Sequence, residues 1–174
     1  MKFERSETCC FTGHRDISDA EKNRASDEIR RLVTQLCRRG VVRYIVGGAL
    51  GFDTAAAVTL INLRDSGEPC LFGKDGKPVR IHITAAIPCL DQSAKWRLSD
   101  RVLYDSIMRS VDEKVVLHEK YVSGCMHERN RYMVDNSAYC IAFVRKKTGG
   151  SYYTMNYAEK SGLETVNISN GFRA

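Results

Sequence analysis

The sequence predicts an α/β three-layer sandwich built on a mostly parallel sheet of about six strands, and two observations carry that expectation. Short apolar runs alternate with longer amphipathic segments along the chain, as in strands joined by crossover helices. Glycine-rich turns follow directly after several of the apolar runs, where a strand would hand over to a helix. At 174 residues and 43% hydrophobic, the chain is long enough to bury a core without disulfides or metals. No repeat, low-complexity stretch or linker divides it, so one domain over 1–174 is expected.

The elements follow in order. Thr8 to Thr12 reads as a first strand, and Ser18 and Asp19 offer caps for a helix over Ala20 to Arg39, in which Ile29, Leu32, Val33 and Leu36 recur at helical spacing. Gly40 stops it. Val42 to Val46 is a second strand, followed after glycines by a helix from about Phe52 to Arg64, ended by Gly67. Between Glu68 and Pro78, Asp75-Gly76 is a turn signal for a small hairpin closing on Val79 to Thr84, read as an insertion at the sheet edge. It is not a P-loop, because Leu71 stands where the first glycine belongs and Pro78 where the Ser or Thr belongs. Val79 to Ile87 is a third strand, Ser93 to Ser110 helical and Lys114 to His118 a fourth strand. Met126 to Asn136 is helical, Ala138 to Val144 a fifth strand, Ser151 to Lys160 a helix closed by Gly162, and Glu164 to Ile168 a sixth strand. The last five residues read as a tail.

Composition narrows the function classes. The start, MKFERSETCCF, has charges where a signal peptide needs an apolar run, and no stretch approaches a membrane-spanning length, so a cytoplasmic protein with no membrane partner is expected. Seven cysteines, scattered except for Cys9 and Cys10, read as reduced and mostly buried. A net charge of +6 favours anionic partners. The basic residues are dispersed, with only Arg38-Arg39 and Arg145-Lys146-Lys147 adjacent, which suits a solvated surface better than a nucleic-acid footprint.

Ligands of open parallel sheets bind beyond the carboxyl ends of the strands, and three motifs fall there. The first is Thr12, Gly13, His14 and Arg15, in which glycine permits close approach and the basic pair can grip an anion or stack on a base. The second is Gly47, Gly48, Ala49, Leu50, Gly51, Phe52 and Asp53, a glycine-rich turn opening a helix whose dipole favours phosphate by about 0.3–1 kcal/mol per charge. Its spacing is not that of the GxGxxG fingerprint, and Asp53 either caps the helix or touches the ligand. The third is Thr148, Gly149, Gly150 and Ser151, with Thr154 behind them; Ser151 either caps the helix or faces the ligand. Two such turns on one sheet edge can hold opposite sides of a phosphate–ribose unit.

The segment from Met126 to Met133 adds Glu128, Arg129 and Asn130. The two methionines, seven apart, read as core; Arg129 suits a bidentate anion contact, and Glu128 is the best-placed candidate carboxylate. His118, Cys125 and His127 match no zinc spacing, no cysteine has a context that would activate it, and no metal or cofactor is expected. Trp96 either covers a base or packs, within the chain or in a dimer contact.

Over nearly its whole length the sequence resembles the YpsA-like branch of the SLOG superfamily, through TGHR at 12–15, GGALGFD at 47–53, ERNRYMVDNS at 128–137 and GGSYYT at 149–154. The resemblance implies a Rossmann-like sheet, a site for a nucleotide-derived ligand, a sensor or regulatory role, and a homodimer. Lonely Guy enzymes of the same superfamily cleave nucleotides with MHxRKxxM followed by PGGxGTxxE. Here MHERNRYM supplies the matching Arg129, but Asn130 replaces the lysine, Thr148 the proline, and the glutamate position falls on Asn156 or Tyr157. Phosphoribohydrolase-like N-glycoside cleavage would need Glu128 or Asp53 instead as the carboxylate. Against the SGxARGIDxxAH of DNA-processing protein A, Leu50 replaces the arginine and Ala57 the histidine, which weakens a single-stranded nucleic-acid reading that the net charge keeps open. The leading expectation is a binding module: phosphate on the Gly47-Gly48 and Gly149-Gly150 turns, Arg15 and Arg129 as anion partners, and Thr12 or Asn130 on the sugar or base.

Overall fold

Of the two caps offered for the first long helix, Ser18 is the one used, in a capping box: Ser18 Oγ accepts from Glu21 N at 3.2 Å and Glu21 Oε2 accepts from Ser18 N at 2.7 Å. From there Ala25, Ile29, Leu32, Val33, Leu36 and Cys37 line the buried face. In the computed structural model, which describes residues 3–67 and 70–169, this helix is α1 (Asp19–Arg38). The other elements are β1 (Thr8–Gly13), β2 (Arg43–Val46), α2 (Phe52–Ser66), β3 (His82–Ile87), α3 (Leu98–Ser110), β4 (Glu113–Val116), α4 (Cys125–Asp135), β5 (Tyr139–Phe143), α5 (Gly150–Lys160) and β6 (Glu164–Asn167).

The six strands form one sheet in the order β4-β3-β2-β1-β5-β6, with every neighbouring pair parallel. Side chains alternate across it. Cys9 and Phe11 of β1, Tyr44 and Val46 of β2, and Ile141 and Phe143 of β5 face a large core shared with α1, α2 and α3. Cys10, Ile45, Ala86 and Cys140 face a smaller core with Met133 and Val134 of α4 and Ala158 of α5. Helices therefore cover both faces, which is why the central strands are continuous apolar runs. This is the α/β, Rossmann-like architecture that the alternation predicted. All seven cysteines are free, and all but Cys70 are buried. No helix among the described residues is long and apolar enough to cross a membrane.

Three local expectations change. The third strand starts at His82 rather than Val79, because Val79 N bonds to Leu71 O at 2.8 Å and Pro78 bridges Phe72 in the small hairpin. That hairpin is not at the sheet edge: it leads into β3, an interior strand, Leu71 is buried in the larger core, and Lys74 lies against Gly40 at the end of α1. Glu68, with which the hairpin reading begins, and the tail lie outside the described residues. The helix expected from Ser93 starts at Leu98, since the preceding residues close separate i→i+3 turns such as Trp96 N to Ser93 O at 3.0 Å.

Candidate functional site

The strand order fixes where a cleft opens. From β1 the chain builds outward through β2, β3 and β4, then returns to lay β5 on the other side of β1, so connections diverge beyond the carboxyl ends of β1 and β5. A cleft of about 310 Å³ lies there. Its walls are the turn after β1, the start of the turn after β2, one face of α4 and the amino end of α5.

Of the residues singled out from the sequence, Thr12, Gly13, His14, Arg15, Gly47, Ala49, Asp53, Arg129, Asn130, Gly150 and Ser151 line this cleft. Three separate motifs thus meet. The turn after β1 is tied down by His14 N to Phe143 O at 3.2 Å and Phe52 N to His14 O at 3.1 Å. Ser151 Oγ donates to Gly13 O at 2.7 Å, joining the first and third motifs. Ser151 is accordingly not the cap of α5; that position is Gly149, at φ 88°, and no side chain caps the helix. The amides of the first turn of α5 have no acceptor within the helix, and a Cβ added at Gly149 or Gly150 would meet open space. Unpaired amides at a helix start are groups to which an oxyanion can hydrogen-bond.

The turn after β2 is built differently from expectation. Asp53 Oδ1 accepts from Gly47 N at 3.2 Å and Asp53 Oδ2 from Ala49 N at 2.8 Å, so these amides close on a protein carboxylate and are taken. Asp53 is 5% exposed. Gly51, at φ 78°, caps α2, and its α-carbon lies so close to the Arg15 backbone that a Cβ would collide with it. Arg129, also 5% exposed, donates from Nη1 to Gly47 O and from Nε to Asn130 Oδ1 at 2.8 Å. Gly47 has to be glycine for that approach, since any Cβ would strike the guanidinium. Burial pushes the Asp53 carboxyl up from its ordinary range, opposed by Arg129 and the loop amides. Burial likewise pulls the Arg129 guanidinium down, opposed by Asp53.

His14 Nε2 accepts from Arg145 N at 2.8 Å and from Lys146 N at 3.3 Å, which places the ring proton on Nδ1. Partial burial and the charges of Arg145 and Lys146 lower its pKa. Arg15 is exposed and makes no hydrogen bond or ion pair among the described residues.

Other candidates point elsewhere. Gly48 and Gly51 face a neighbouring groove on the α2–α3 side. Thr154 is buried on α5 and returns its hydroxyl to Gly150 O at 2.8 Å. Glu128 is exposed, outside the cleft, and 2.7 Å from His118 Nε2. The sequence reading missed Phe11, Met126, His127 and Met133 in the walls. The signal for two of them, Met126 and Met133, was present: positions 126, 129, 130 and 133 recur on one helical face, and Arg129 was already assigned to the ligand.

The YpsA sequence model, of the YspA SLOG family, matches residues 10–169. The chain belongs to this family. The SPbeta prophage-derived protein YoqJ of Bacillus subtilis (strain 168), itself uncharacterized, is 29% identical to this chain over 147 residues, 78% of each chain. Two solved structures resemble the YpsA fold seen here. DNA processing protein A from Streptococcus pneumoniae has TM-score 0.59 and 19% identity over 91% of this chain, and the Helicobacter pylori protein has 0.58 and 17% over 92%. The chain spans 48% and 64% of those two proteins, so the likeness is one of fold.

Proposed function

We propose that this protein binds a nucleotide or nucleotide-derived anion in the cleft beyond β1 and β5, as a cytoplasmic sensing or regulatory module, without turning it over. The observation that carries the reading is the uncapped amino end of α5, where Gly150 and Ser151 face a cleft also lined by Arg15, Arg129 and the amide-bound carboxylate of Asp53. A phosphate fits between the α5 amides and Arg15, with Thr12 and Asn130 beside it for sugar or base. Catalysis has little to work with. Both Asp53 oxygens are held by backbone amides, and Glu128 sits outside the cleft against His118. A glycosidic bond in the cleft would meet no free carboxylate among the described lining residues.

Titration calorimetry with a panel of nucleoside mono- and diphosphates tests the reading. Binding is expected for at least one base, with no base released on prolonged incubation. Gly150→Asp, which adds a negative charge in open space, is expected to weaken binding about tenfold or more while leaving the thermal midpoint within a few degrees. Unchanged affinity in that variant, or release of free base, would overturn the proposal.

A second reading rests on the net charge of +6 and on the fold likeness to the Helicobacter pylori protein, which has a single-stranded DNA binding mode. It requires affinity for a single-stranded oligonucleotide that falls steeply with salt. A flat salt response removes it.

A further inference from the structure

A second groove, of about 430 Å³, lies on the other side of the turn after β2, between α2 and α3. The two spaces share Arg15, and the turn divides them: Gly47 and Ala49 face the first, Gly48, Leu50 and Gly51 the second. Their chemistry differs. The first mixes charged and backbone groups with Phe11, Met126 and Met133; the second is walled by Leu50, Leu103 and Ile107 with two aromatic rings, Trp96 and Tyr104, packed edge to face at 5.4 Å and 80°. Trp96 is half-buried and Leu103 is exposed, so the groove is an open apolar slot rather than a filled core. Lys22 and Asp100 lie at its polar margin, giving both a cation and a hydrogen-bond acceptor.

From these observations we propose that the groove is a second subsite, which takes a flat aromatic base joined through phosphate to the nucleotide held in the first cleft. The ligand class is thus a dinucleotide whose bridging phosphates cross Arg15. Three features point to that occupant. Arg15 stands unpaired between the two spaces, as a bridging anion requires. Trp96, backed edge to face by the buried Tyr104, offers ring surface of the kind on which bases stack in a sequence-tolerant way. Asp100 supplies an acceptor for an exocyclic amine, a group that a purely apolar tail would lack. This inference rests on the first cleft holding a nucleotide.

Trp96 is the only tryptophan in the chain, so its emission reports directly on the groove. For each of the four common bases, the nucleoside monophosphate, the diphosphate and the symmetric dinucleoside diphosphate are titrated against the protein. The dinucleoside compound is expected to bind about tenfold tighter than the diphosphate, the lower range of one base stacked on aromatic rings. It is also expected to change Trp96 emission saturably at the same midpoint. Leu103→Glu, at an exposed position, is expected to abolish that gain and leave monophosphate affinity unchanged. Mononucleotide binding with no advantage for any second base and no change in Trp96 emission would overturn this inference alone. Failure of every nucleotide to bind would overturn the first-cleft reading and this one together.

Discussion

Asp53 holds the turn after β2 in shape by satisfying two of its amides, and Arg129 holds the same turn from the opposite side through Gly47 O. Each is buried, and each lowers the cost of the other's charge. Asp53→Asn exchanges one acceptor oxygen for a donor against a backbone amide and leaves Arg129 without its counter-charge; a loss of about 2–4 kcal/mol in unfolding free energy by denaturant titration is expected. The sequence left Asp53 open between helix cap and ligand contact. It is neither the cap residue nor a free carboxylate, because its reach to the loop amides depends on the left-handed bend at Gly51, which a residue string does not display. His14 gives a pH dependence of definite sign. Its pKa is lowered in the folded protein, so the unfolded chain binds the extra proton more readily. Its contribution to stability is complete above about pH 6.5 and declines as pH falls through that value towards the folded pKa. A set of urea midpoints against pH should show this decline, and His14→Gln should flatten it.

The helices divide into those fixed by local chemistry and those fixed by tertiary contacts. The cap of α1 was readable at Ser18, although its capping-box partner Glu21 was not singled out, and Ser18→Ala should lower stability by about 1 kcal/mol without altering nucleotide affinity, since Ser18 does not line the cleft. The start of α3 was not readable, because apolar spacing continues through residues that instead close successive short turns. In α4 the spacing was read as core at Met126 and Met133, yet the same face carries Arg129 and Asn130 into the cleft while Glu128 points outward to His118. A step of about 100° per residue separates the neighbours Glu128 and Arg129. Arg129 was already singled out in the sequence, but that its neighbour Glu128 lies outside the cleft became evident only from the packing of α4 on the sheet. The bare glycines at the start of α5 were legible as a helix opening, and their uncapped state follows from Ser151 turning to Gly13 O instead.

At the scale of the whole molecule, the alternating pattern was enough to announce a parallel sheet with helices on both faces. It was not enough for the strand order, which depends on which strand returns beside β1. That return of β5 brings 12–15, 47–53, 126–133 and 149–151 together, although they are far apart along the chain. Gly48 and Gly51 nevertheless face away from the cleft, because the turn from β2 to α2 has two sides. The central claim is that an anionic nucleotide sits against the open amides of α5. The most direct measurement is a set of amide chemical-shift changes, recorded on isotopically labelled protein titrated with a nucleoside monophosphate that binds. Saturable shifts concentrated at Gly13 to Arg15 and at Gly149 to Tyr152, lost in Gly150→Asp, are the expected result; shifts confined to other surfaces, or unchanged in that variant, would contradict it.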